Sequence, residues 1–80
     1  MKLPRNISAS ELVSSLRKFG YVVSRQKGSH IRLTNPSNGE HHLTIPNHNP
    51  IKLGTLSSII AAVAAHFNLS KDETVKKLFG

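Results

Sequence analysis

Two six-residue segments, "HIRLTN" (30–35) and "HHLTIP" (41–46), alternate polar and apolar residues on either side of the turn "PSNG". Alternation at period two marks a strand with one buried face. Ile31 and Leu33 share one face of the first segment, and Leu43 and Ile45 share one face of the second. The simple antiparallel register that keeps all four together pairs Leu33 with Leu43 and Ile31 with Ile45. A slip of one residue would turn one strand's apolar side chains to solvent. The opposite side of the ribbon then carries His30, Arg32, Thr34, His42 and Thr44, with Lys27 at its edge. His30 stands opposite Pro46, and the loop "NHNP" leaving from there brings His48 towards it.

The apolar face of such a ribbon has to be covered, and the flanking sequence offers helices. Ser8 and Glu11 form a capping box, with Ile7 and Leu12 at the positions of a hydrophobic staple. Ala9, Leu12, Val13, Leu16 and Phe19 follow helical spacing, and Gly20 suits a left-handed stop. This predicts a first helix over 9–19. "YVVSRQ" (21–26) reads as a third strand, rich in β-branched and aromatic residues. Gly28 permits a tight turn or a bulge before His30. Beyond Pro46, Thr55 or Ser57 is the expected cap of a helix reaching Phe67, with Leu56, Ile59, Ile60, Val63 and Phe67 as its core stripe. Ser70 and Glu73 form a second capping box, opening a short helix with Val75, Leu78 and Phe79 inward. The expected fold is α+β: a two-layer sandwich in the order α-β-β-β-α with a short extra C-terminal helix, one domain over residues 1–80. The second face of its sheet is open to solvent or a partner.

Composition narrows the function. The chain has no cysteine, so neither disulfides nor thiolate chemistry are available. Its longest nearly apolar run, "LSSIIAAVAAHF", is shorter than the ~20 residues of a membrane-spanning helix, and "MKLPRNISAS" lacks the apolar centre of a secretory signal. A cytoplasmic protein with no membrane partner is expected. Lysine and arginine number 11 against 4 acids, Glu11, Glu40, Asp72 and Glu73. No acid lies between Leu12 and Gly39, where Arg17, Lys18, Arg25, Lys27 and Arg32 sit. A field of one sign attracts polyanions, nucleic acid first among them, although an acidic protein fits the same field.

His30 is the candidate for chemistry. An imidazole exchanges a proton near neutral pH, and RNA carries its own nucleophile in the 2′-hydroxyl. One histidine and a few cations therefore suffice for RNA cleavage without a metal. An exposed strand residue with no task is the competing reading. His41 and His42 point to opposite faces of a strand and cannot easily share an ion, so no metal site is expected. No carboxylate lies beside Ser29–His30 to orient the imidazole, which argues against a hydrolase triad; Ser29 is better suited to supporting the turn or binding a phosphate. Lys52, before "LGTL", would strengthen an anion site at a helix start. His66, next to Phe67, is expected to pack or cap.

Three motifs occur in order: Gly-Tyr-x-x-x-Arg-Gln-Lys-Gly-Ser-His at 20–30, Pro46-x-His48, and Gly54-Thr55-Leu56. With the segments around them they resemble the HicA family of toxins from bacterial toxin–antitoxin pairs, over nearly the whole chain. The resemblance implies a double-stranded-RNA-binding-domain-like fold and an mRNA interferase that slows translation until a HicB-type antitoxin masks it. It places the family's functional histidine at His30, with Gly28 and Ser29 beside it. The "HFNLSKDETVKKLFG" tail is longer than a minimal member needs. The expected function is a metal-independent endoribonuclease with mRNA as substrate, no cofactor, and His30 as catalyst. Arg25, Lys27, Gly28, Ser29, Arg32 and Lys52 are the expected RNA-binding residues. Lys27, His48 and water compete for the role of general acid. A non-catalytic RNA-binding module of the same fold, or an interaction domain for an acidic protein, are the alternatives.

Overall fold

Helix, three antiparallel strands and two further helices follow one another along the chain, as the hydrophobic spacing predicts. The computed structural model describes residues 3–37 and 39–80, so Asn38 of the "PSNG" turn and Met1 and Lys2 of the N-terminal segment lie outside the described residues. Helix α1 is Ala9–Leu16, and both halves of its capping box form: Glu11 N–H donates to Ser8 Oγ, and Ser8 N–H donates to the Glu11 carboxylate. The expected helix over 9–19 is α-helical only to Leu16. A 3-10 turn, Arg17–Phe19, completes it and ends at Gly20 with φ +95°. Tyr21 precedes rather than opens the first strand, β1, which is Val22–Lys27.

Strands β2, His30–Asn35, and β3, His41–Pro46, complete a sheet ordered β1-β2-β3. Their register is the one alternation demands: Ile31 opposes Ile45, Leu33 opposes Leu43, and His30 opposes Pro46. Ile31, Leu33, Leu43 and Ile45 are all buried. Helices α2, Leu53–Phe67, and α3, Lys71–Phe79, meet at a bend of 106°. With α1 they close the core over that face through Leu12, Leu16, Leu56, Ile60, Val63 and Leu78, while Phe67, Val75 and Phe79 are partly buried against it. The second capping box, Ser70 with Glu73, also forms. Among the described residues no single helix is long and apolar enough to cross a membrane.

The start of α2 corrects the sequence expectation. Neither Thr55 nor Ser57 caps it; the cap position is Lys52, with no side-chain cap bond. Buried Ile51 decides the entry point. Its N–H donates to the Ile7 carbonyl at 2.8 Å, which fixes the chain direction before the capping residues are reached. The preceding loop is held at two further points. Asn47 N–H donates to the Ser29 carbonyl at 2.7 Å, and Ala9 N–H donates to the His48 carbonyl at 3.1 Å.

At the far end of the ribbon the inward positions turn polar. Asn35 opposes His41 on the helix side of the sheet and is fully buried. The Tyr21 hydroxyl, also buried, lies 2.6 Å from His41 Nδ1. His41 stacks on His66 at 4.3 Å, and His66 Nε2 reaches the Ser37 carbonyl at 3.0 Å. His66 therefore packs, in keeping with its position beside Phe67.

Candidate functional site

The connection from β1 to β2 is a two-residue turn, Gly28–Ser29, with Lys27 and His30 as its closing pair. Gly28 has φ +56° and Ser29 does not share the positive φ, the pattern of a type II′ turn that favours glycine first. A side chain at Gly28 would meet open space, so the requirement there is conformational. The expected tight turn is thus present, and the bulge lies elsewhere. The β1–β2 register shifts between Val23 and Arg25, leaving Ser24 as the extra residue.

That shift decides which side chains reach the open face. Val23 opposes Leu33 on the helix side, so an unbroken strand would put Arg25 and Lys27 on the helix side as well. Instead Arg25 opposes Arg32 and Lys27 opposes His30. The sequence carries no signal for this shift, because every residue of β1 is exposed and burial imposes no parity on the strand.

Arg25, Lys27, His30, Arg32 and Thr44 line one open depression of about 450 Å³. Thr44 opposes Arg32, where alternation places it, and adds a hydroxyl to the lining that sequence reasoning gives no role. His30 is exposed, and among the described residues no protein group hydrogen-bonds its ring. The ring is open to a ligand, with Lys27 across the strand pair and Arg32 two residues along β2. Glu40 approaches this face at His42, with its Oε1 3.5 Å from His42 Nε2. His42 opposes Thr34, four residues from His30 along β2, or about 13 Å at ~3.3 Å per residue. Among the described residues no three His, Cys, Asp or Glu side chains gather as a metal site.

The structure brings Arg25, Lys27, His30 and Arg32 together, with Gly28 and Ser29 as their turn. Lys52 and His48 are exposed but do not line the depression. The loop does approach the turn through Asn47, while His48 itself is tied by its main chain to Pro46 and Ala9.

The family model for the HicA toxin of bacterial toxin–antitoxin systems matches residues 9–64. The chain belongs to the HicA family. No curated protein and no solved structure gives a significant match. The match spans α1 through most of α2, and so contains the whole sheet and every residue of the depression. A HicA protein is the toxin of a toxin–antitoxin pair, which establishes an antitoxin as its partner.

Proposed function

We propose that this HicA toxin is a metal-independent endoribonuclease that cuts mRNA on the open face of its sheet. His30 removes the proton from a 2′-hydroxyl, and the freed oxygen attacks the adjacent phosphorus. The bond to the 5′ oxygen breaks, that oxygen takes a proton from water, and a 2′,3′-cyclic phosphate remains. Arg25, Lys27 and Arg32 hold the phosphate and stabilise the charge that gathers on it. The carrying observation is the His30 ring, exposed and without a protein partner, in a depression lined by three cations. A HicB-type antitoxin is the proposed inhibitor, covering this depression.

The test uses purified wild type and His30→Ala with a transcribed mRNA in EDTA. Wild type is expected to cut, and the variant to leave the RNA intact while melting at the same temperature. Equal cutting by both would remove His30 from the reaction. A second reading, RNA binding without cleavage, draws on the lining of the depression, where among the described residues His30 is the sole histidine and no carboxylate is present. It expects both proteins to bind RNA and neither to cut it.

A further inference from the structure

The bulge that delivers Arg25 and Lys27 carries an electrostatic cost. Two guanidinium groups, Arg25 and Arg32, are placed directly across a strand pair, and like charges so placed repel. β1 is an edge strand with all six residues exposed, so the helix layer does little to hold the distortion. Its support lies on the open face, in a chain of side chains crossing all three strands.

Ser24, the bulged residue, donates from Oγ to the Arg32 carbonyl at 3.3 Å. Thr34 Oγ1 donates to Ser24 Oγ at 2.8 Å. His42 Nδ1 lies 2.9 Å from Thr34 Oγ1, and its Nε2 lies 3.5 Å from Glu40. The direction of the chain follows from counting protons. Each hydroxyl has one to give. Ser24 gives its proton to a carbonyl and Thr34 gives its proton to Ser24. Thr34 is then left to accept from His42, in the form of the ring that carries a hydrogen on Nδ1. The chain runs from β3 to the bulge and ends on the carbonyl of Arg32, whose side chain lines the depression.

We infer that Ser24, Thr34 and His42 form a hydrogen-bonded brace that fixes the β1 bulge and so sets Arg25 and Lys27 against the bound phosphate. They are positioning residues and do not touch RNA. The inference rests on the proposal that RNA binds the open face. It assigns function to the end of that face that does not hold His30.

Binding is measured in a His30→Ala background, so that RNA is not cut, with a short fluorescein-labelled single-stranded RNA at several salt concentrations. Thr34→Val removes the hydroxyl and keeps the β-branched shape. It is expected to weaken binding about tenfold and to flatten the salt dependence by ~0.7 for each phosphate no longer neutralised. Thr34→Ser restores the hydroxyl and should recover both. In the RNA-free protein, amide exchange at Ser24 to Gln26 should quicken in Thr34→Val, which trimming a side chain that merely touches RNA would not cause. Ser24→Ala is the second variant and should reproduce the loss of affinity and slope. Arg25→Ala and Lys27→Ala are the controls. If they weaken binding while Thr34→Val and Ser24→Ala bind as the parent does, the brace is overturned and the RNA site stands. If Arg25→Ala and Lys27→Ala also bind as the parent does, the RNA site itself fails, and the brace with it.

Discussion

Tyr21, the chain's sole tyrosine, shows how one buried hydroxyl sets a limit on the fold. Burial pushes its phenol up from 10.0 to about 12. The folded chain thus resists the phenolate that the unfolded chain forms readily. The stability so contributed is complete below pH 10 and is lost as pH rises from 10 towards about 12. The urea midpoint should fall across that window, and a phenolate absorbance titration of folded protein should show its midpoint well above the ordinary one. An ordinary midpoint near 10 with the fold intact would refute this. His41, beside the same hydroxyl, acts in the opposite pH direction. Burial first, then the charges of His66 and His42, lower its affinity for a proton. Its contribution is complete above pH 6.5 and diminishes as pH falls below that value. The two groups weaken the same corner of the fold at opposite ends of the pH scale. His30 is exposed, so its replacement should change stability by no more than about 0.5 kcal/mol.

Elements join each other here through a few buried polar anchors, and Asn35 is the clearest. Its Nδ2 donates to the Phe19 carbonyl at 2.7 Å and its Oδ1 accepts from Ser37 N–H at 2.9 Å. It therefore pins the 3-10 turn after α1 to the end of β2. A Cβ built on Gly20 would lie 3.4 Å from Asn35 Oδ1, so the turn packs closely on the anchor. Asn35→Ala should cost about 2 kcal/mol, because two main-chain groups lose their partner. Thermal melting reads that loss, and RNA affinity at a temperature where the variant is folded should match wild type. Equal stability would show that water replaces the amide without cost. Nothing in "HIRLTN" distinguishes Asn35 from an ordinary strand end. Its partners come from segments outside the strand that carries it. The β2–β3 register was legible because four apolar residues satisfy only one simple parity. The start of α2 was not, because the Ile51–Ile7 hydrogen bond overrides local capping preference. The bulge at Ser24 was not legible either: every residue of β1 is exposed, so alternation sets no parity there, and its brace depends on Thr34 and His42 from two other strands.

At the scale of the molecule the charges are sorted. Of the four acids, Glu11 and Glu73 are engaged in capping boxes at helix starts, and Glu40 pairs with His42 at the far end of the open face. Among the described residues no carboxylate pairs with the cations of the depression around His30. On the proposed masking by an antitoxin, an acidic surface should be drawn to it, and the association rate should fall as salt rises. Stopped-flow mixing at several salt concentrations measures this, and hydrogen exchange locates the interface. Protection over residues 25–32 supports masking; a salt-independent rate with protection confined to α1 and α2 refutes it. The sheet commits one face to the core and leaves the other to solvent, so the residues of the depression carry almost none of the folding energy. On that masking, mutations there are filtered by partner and substrate alone. A toxin and its antitoxin can then drift in step, each change tolerated by the fold before its counterpart arrives. Closely related pairs in one genome can lose the ability to silence one another while every toxin keeps the same backbone.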